Sequence, residues 1–293
     1  MEFDWDAVII GGGPAGSTVA RYAAEGGAKV LVIDRRKEIG TPLQCGELVP
    51  TNSELKQLCP NVPKIDNLFQ TPKSAVSRRT HEMGLVTPSG KKLTYPFEGK
   101  ILYRPIHDQA LVGLAKKTGA QYMNESRVND IIDNTVMLKN GENITAKIIV
   151  GCGGAHDPLR KKFWKEKSLN IAVNFVLMDG EFEDRVDLYF GSTAPGGYAW
   201  MIPKKGGANI GIGIQTRFSK GKSLNSMAES FFSNFEGKVT YKGGGILPMS
   251  GTIRNLTKGQ YMLVGDSAGM VLPSNGAGIT TAMIGGRIAG QVI

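Results

Sequence analysis

The chain has 293 residues, 41% of them hydrophobic and 21% charged, enough apolar content to bury a substantial core and to exclude a disordered protein. Lys and Arg outnumber Asp and Glu by 35 to 26, a net charge of +9 that suits an anionic membrane surface or a phosphate-bearing ligand as well as an ordinary solvated basic surface. Glu2, Asp4 and Asp6 stand where a secretory leader would be basic, no run of about 18 uncharged apolar residues could span a bilayer, and Cys45, Cys59 and Cys152 lack metal-ligand spacing, so a cytoplasmic or membrane-peripheral protein without a metal is expected.

In chain order, the first element is an apolar strand over 7–10, followed by the turn Gly11-Gly12-Gly13-Pro14-Ala15-Gly16, an Ala-rich helix, and a strand over 29–33 that ends in Asp34. This spacing predicts a βαβ unit opening on a dinucleotide. Gly11 makes the tight exit from the strand, Gly13 lets the backbone approach a pyrophosphate, and Gly16 lets helix and strand pack closely. The N–H groups at the helix start face the phosphates, while Asp34, 18 residues beyond Gly16, is placed to accept hydrogen bonds from ribose hydroxyls. These residues alone leave NAD and FAD equally open.

After Asp34 the chain runs through Arg35 and Arg36 into a loop containing Cys45-Gly46-Glu47, then through a polar, Pro-punctuated stretch over 56–67. Residues 75–97 alternate as a hairpin around Thr87-Pro88-Ser89-Gly90. A helix is expected over 102–118, short strands over 120–128 and 135–138, and an apolar strand over 144–150 ending at Gly151-Cys152-Gly153-Gly154. Several alternating strands follow over 171–218, then an amphipathic helix over 223–235 and a strand-like stretch over 238–252. The last piece is a strand over 262–264, the loop Gly265-Asp266-Ser267-Ala268-Gly269, and a helix from about Gly278 whose Met283, Ile284, Ile288, Ala289, Val292 and Ile293 form an apolar surface expected to need a cover. No internal repeat is evident.

Three separated motifs resemble the geranylgeranyl reductase family within the FAD-dependent fold of the aromatic hydroxylases: the N-terminal GGGPAG, the stretch 265–269 with Pro273 and Gly276-Ala277-Gly278, and Pro195-Gly196-Gly197-Tyr198-Ala199-Trp200-Met201-Ile202-Pro203, which matches the reductases' PxxYxWxFP with Ile202 for Phe. The resemblance runs from Asp6 to the end and implies an α/β fold: an FAD-binding Rossmann-like, three-layer ββα domain (1–70, 98–165 and 258–293) with an inserted antiparallel-sheet substrate domain (71–97 and 166–257). It implies FAD as cofactor, with Gly11, Gly13, Ala15, Gly16, Asp34, Arg35, Cys45, Gly46, Arg104, Val128, Asp266, Gly276, Gly278 and Ile279 at the cofactor. Asp266 would accept hydrogen bonds from the ribityl hydroxyls. Gly276, Gly278 and Ile279, at a helix start, would stabilise negative charge on reduced flavin.

The activity implied is saturation of isolated C=C bonds in geranylgeranyl chains, of archaeal digeranylgeranylglycerol phospholipids above all. Such a bond has no carbonyl to polarise it, so the site must supply a proton and stabilise positive charge. Tyr198 and Trp200, two apart on one strand face, would line the alkene channel, and Cys45 would act as proton donor or gate; core packing is the alternative for the aromatic pair, an inert thiol for Cys45. An electron donor, ferredoxin or reduced nicotinamide, is required, and no nucleic-acid partner is expected. The hydroxylases' Asp-Gly pair reads Gly153-Gly154-Ala155-His156-Asp157 here, which leaves direct nicotinamide docking open, and relatives continue into a helical region beyond residue 293. Two other classes remain on this fold: a monooxygenase or halogenase, since residues 198–203 also bear some likeness to the WxWxIP pattern, and an electron-transfer flavoprotein acting on a quinone.

Overall fold

The computed structural model describes residues 2–166 and 169–293. They form two compact units: the chain up to Thr41 with Pro105–Leu169 and Pro248–Ile293, and Pro42–Arg104 with Asn170–Leu247.

In the first unit a sheet runs in the order Thr257–Lys258, Tyr261–Leu263, Asn143–Gly151, Trp5–Ile10, Val30–Ile33, Gln121–Met123, and every pair after the first is parallel. Ala7, Val8 and Ile9 are all fully buried, the uninterrupted apolar reading of a parallel strand covered on both faces. Ala7, Ile9, Val30 and Val32 pack against helix Pro14–Glu25 and residues of helix Ile279–Val292. Val8, Ile10, Leu31 and Ile33 pack instead against Ile131, Val136 and Leu138, carried by the meander Val128–Ile132, Thr135–Leu138 and Asn143–Gly151. Helices on one face and an antiparallel meander on the other make the three-layer ββα arrangement.

The two helices cross closely because glycine faces backbone: a methyl carbon at Gly290 would lie 2.6 Å from Val19 O, and one at Gly286 would lie 2.9 Å from Ala15 O. This corrects part of the expected uncovered surface on the last helix. Met283 and Ala289 are buried, whereas Ile288 and Val292 face solvent.

The second unit is built on a sheet of order Lys238–Pro248, Asn170–Asp179, Gly207–Ile214, Tyr198–Lys204, Val186–Tyr189, Val76–Val86, Lys92–Leu102, Leu48–Pro50. Val186–Tyr189 runs parallel to Val76–Val86; the other registered neighbours are antiparallel. Ile210, Ile212 and Ile214 form a core with Ala228 and Phe231 of helix Leu224–Phe232 on one face of the sheet. Residues 42–70 and 98–104, expected in the nucleotide unit, pack here because Leu48, Val49 and Pro50 pair with Ile101, Lys100 and Gly99. Residues 248–257, expected here, return to the first unit, where Ile253 N donates to Ala268 O at 3.0 Å. Helix Asn52–Leu58 was not expected, although Thr51 accepts from Glu54 N as an N-cap. No helix among the described residues is long and apolar enough to cross a membrane.

Candidate cofactor cradle and aromatic face

In the first unit the glycine turn has the shape its sequence requires. Gly11 has φ +100°, and a methyl carbon there would lie 2.5 Å from Cys152 O; at Gly16 it would lie 1.8 Å from Gly11 O. Gly13 is different, with nothing within 4 Å of the added carbon, so its surroundings are open. It is also the N-cap of helix Pro14–Glu25 and provides no side-chain cap, leaving first-turn N–H groups for a ligand. Asp34, 3% exposed, accepts from Gly12 N at 2.7 Å and Arg36 N at 2.8 Å, and each carboxylate oxygen keeps a further lone-pair direction. Arg35 beside it is exposed.

The second glycine motif is adjacent to the first. A methyl carbon at Gly265 would lie 2.8 Å from Ala15 Cβ, and Asp266 Oδ1 is 3.2 Å from where Gly278 would carry its own. Gly276 has φ +70°, and Gly278 begins helix Ile279–Val292 without a side-chain cap, so Asp266, Gly278 and Ile279 converge at a second open helix start. Val128 lies on the meander; the chain before it runs beside Asp34, Ser126 N donating to Asp34 O at 2.9 Å. Two uncapped helix starts, an open glycine and two carboxylates fit a ligand with a diphosphate and many hydroxyls.

Asp157 braces this region. It is fully buried, accepting from Gly153 N at 2.6 Å and Arg160 N at 2.9 Å, and Arg160 Nη1 donates to Ser267 O at 2.6 Å beside Asp266. Burial pushes the Asp157 carboxyl up to about 6, opposed by the N–H groups of Arg160, Gly153 and Leu159. Its sequence position marked only a departure from the hydroxylase pattern; the N-cap before Pro158 was the available signal.

In the second unit Cys45, Gly46, Tyr198 and Trp200 come together. Tyr198 and Trp200 sit on one face of strand Tyr198–Lys204, ring centroids 5.7 Å apart and inclined 45°. Opposite them in register are Gly213 and Gly211, and a methyl carbon at Gly211 would lie 2.1 Å from Trp200 Cζ2. The glycines thus make room for the rings. Gly46 approaches the same face, where a methyl carbon would lie 3.0 Å from Ile202 Cδ1 and 3.5 Å from Trp200 Nε1. Burial raises the Tyr198 hydroxyl pKa and nearby Cys45 adds to the rise, so the phenol stays protonated.

A polar network holds the Cys45 loop, and sequence reasoning named only part of it. Trp200 Nε1 donates to Asn209 Oδ1 at 3.0 Å, and Asn209 Nδ2 donates to Cys45 O at 2.9 Å. Glu47, 1% exposed and at φ +69°, accepts from Lys204 Nζ and from Arg104 N at 3.3 Å, while its own N–H points to Cys45 Sγ at 3.1 Å. Arg104 therefore belongs with Cys45 and Gly46 to the second unit, whereas the two glycine turns belong to the first. Asn209 and Lys204 were missed; Asn209 carried a signal as the one polar residue in the strand Gly207–Ile214.

A family model described as geranylgeranyl reductase catalytic domain matches residues 168–246, and one described as FAD dependent oxidoreductase matches residues 6–50. The digeranylgeranylglycerophospholipid reductase of Methanocella arvoryzae is 32% identical over 313 residues, covering 100% of this chain and 78% of that protein. Digeranylgeranylglycerophospholipid reductase 1 of Methanothermobacter thermautotrophicus is 31% identical over 321 residues, covering 100% of this chain and 77% of that protein. Among solved structures, a geranylgeranyl bacteriochlorophyll reductase-like protein from Thermoplasma acidophilum aligns with TM-score 0.85 and 29% identity over 98% of this chain and 77% of its own. Aklavinone-11 hydroxylase, solved with FAD and aklavinone, shares the fold at TM-score 0.70 and 15% identity, covering 99% of this chain and 62% of its own. A flavin-dependent brominase shares it at TM-score 0.72 and 18% identity, covering 98% of this chain and 77% of its own. With the cradle for a dinucleotide and the aromatic face both in place, the chain belongs to the geranylgeranyl reductase family, and it is an FAD-dependent oxidoreductase.

Proposed function

We propose that this enzyme saturates isolated C=C bonds in geranylgeranyl chains, those of digeranylgeranylglycerol phospholipids in the first place. The observation that carries the reading is the pairing of Tyr198 and Trp200 over Gly213 and Gly211, two aromatic faces inclined 45° to each other inside the segment matched by the geranylgeranyl reductase domain. The names of the relatives support the substrate class.

FAD, once reduced, supplies a hydride to one alkene carbon. The protein's own residues do the rest. In the first unit, the N–H groups at Gly13 and the open helix start at Gly278 and Ile279 would hold the cofactor's negative charge, Asp34 and Asp266 would accept hydrogen bonds from its hydroxyls, Gly11, Ala15, Gly16 and Gly276 would shape the turns around it, and Arg35 and Val128 would serve its nucleotide half. Cys45, Gly46 and Arg104 lie in the second unit, and their proposed role toward FAD rests on the family resemblance alone.

Saturation adds one hydride and one proton across the bond. Cys45 Sγ is the proposed proton source for the second carbon, and Glu47 N, which donates to it at 3.1 Å, fixes its position. Positive charge at the trisubstituted carbon faces the π surfaces of Tyr198 and Trp200. The two electrons given to the alkene must be restored by an external donor, a ferredoxin or a reduced nicotinamide, and the net charge of +9 suits approach to an anionic membrane carrying the lipid. The test is anaerobic: geranylgeranyl lipid should reoxidise the reduced flavin in stopped flow. A flavin unmoved by lipid yet rapidly reoxidised by oxygen and an aromatic substrate would favour a monooxygenase.

A further inference from the structure

Lys100 is 6% exposed on strand Lys92–Leu102, yet among the described residues its ammonium donates only to neutral oxygens, Asn52 Oδ1 at 3.1 Å and Thr71 Oγ1 at 3.4 Å. A buried cation ordinarily has a carboxylate beside it. Burial, and then the nearby Arg79, depress its pKa, the mark of a charge without compensation. Lys100 lines a cleft of about 340 Å³ in the second unit, whose other lining residues include Arg79, Lys73, Thr71 and Ser53 and no acidic side chain. Arg79 and Lys73 are more open to solvent, so the cleft has one cation in its floor and two at its rim. Thr71 accepts from Lys100 and keeps its hydroxyl hydrogen for a ligand.

A bare chloride would use neither the volume nor the donors. A guanidinium fork, two ammoniums and hydroxyls match the oxygens of a tetrahedral anion. We propose that this cleft binds a phosphate group, held by Lys100 from below and by Arg79 and Lys73 at the opening. The site stands apart from the isoprenoid reading, since none of these residues belongs to the aromatic face or the glycine turns.

The test uses the FAD-loaded protein, so that the dinucleotide cradle is already filled. Inorganic phosphate titrated at constant ionic strength should raise the thermal midpoint by several degrees, as a ligand of the native state does. Arg79→Gln, on the rim, should lose most of that rise with its flavin spectrum unchanged, and Lys100→Met should lose all of it. Should Lys100→Met fail to fold, Arg79→Gln still decides. No rise in the native protein, or an undiminished rise in Arg79→Gln, overturns the proposal. Co-flotation with phosphatidylglycerol vesicles identifies the source: binding that falls in Arg79→Gln assigns a lipid headgroup, and binding that is unchanged while the phosphate shift is lost assigns a soluble phosphate ester. Either supports the site.

Discussion

Lys204 and Glu47, 157 residues apart, form an ion pair of which Glu47 is 1% exposed and Lys204 8%. Lys204 also donates to Leu102 O at 3.2 Å, and Glu47 also receives Asn209 Nδ2 at 3.4 Å, so the pair ties the Cys45 loop to three strands. Removing one partner of such a pair costs about 3–5 kcal/mol because the other charge stays buried. Glu47→Gln should therefore lower the unfolding free energy measured by urea titration by an amount of that order. Adding Lys204→Met should recover part of it; a double variant as weak as the sum of its singles would show that the two residues act independently.

The cofactor cradle makes a prediction that separates folding from binding. Gly16→Ala puts a methyl 1.8 Å from Gly11 O and should destabilise the FAD-free protein, whereas Gly13→Ala meets nothing within 4 Å. At φ −66° an alanine at 13 is also unstrained. Gly13→Ala should melt like the native protein without FAD yet bind FAD at least about tenfold more weakly, since each 1.4 kcal/mol is a factor of ten. Unchanged FAD affinity would remove Gly13 from the cofactor site.

Much of this was readable because it is local. The GGGPAG turn, its flanking strand and helix, and Asp34 lie within one stretch of 34 residues, where glycine spacing and apolar runs determine the geometry. The hairpin at Thr87–Gly90 was legible for the same reason. The network around Glu47 was not. Asn209 meets Cys45 only because strand register sets it opposite Ile202, and neither Lys204 nor Asn209 has a local pattern that reveals its distant partners. The assignment of 42–70 failed similarly: three residues, Leu48–Pro50, join an edge of the second sheet and take their neighbours with them.

Trp200→Phe keeps an aromatic face but leaves Asn209 Oδ1 without its donor at 3.0 Å. The buried acceptor should cost about 1–3 kcal/mol of stability. Turnover on geranylgeranyl lipid should fall, because Asn209 also holds Cys45 O, while flavin absorbance per protein stays unchanged. Flavin lost in proportion to activity would mean that Trp200 acts only through the fold.

Asp157 predicts a pH dependence of stability. Its folded pKa of about 6 lies above the usual value near 3.8, so as pH rises the unfolded chain gives up its proton first and the folded protein retains it. The stability this contributes is fully present below about pH 4 and is lost as pH rises through about 6, a change of up to about 3 kcal/mol. Asp157→Asn cannot titrate, so the difference between native and variant stability should shrink or reverse across that window. Parallel curves from pH 4 to 7 would place the Asp157 pKa at its ordinary value.

The most direct measurement incubates dithionite-reduced, FAD-loaded protein with digeranylgeranylglycerol phospholipid under anaerobic conditions and reads the lipid by mass spectrometry. A reductase of isoprenoid chains must raise the lipid mass by two hydrogens per saturated bond, with the rise greatly diminished in Cys45→Ala. A lipid recovered at its original mass from protein whose flavin is bound and fully reduced would contradict that activity.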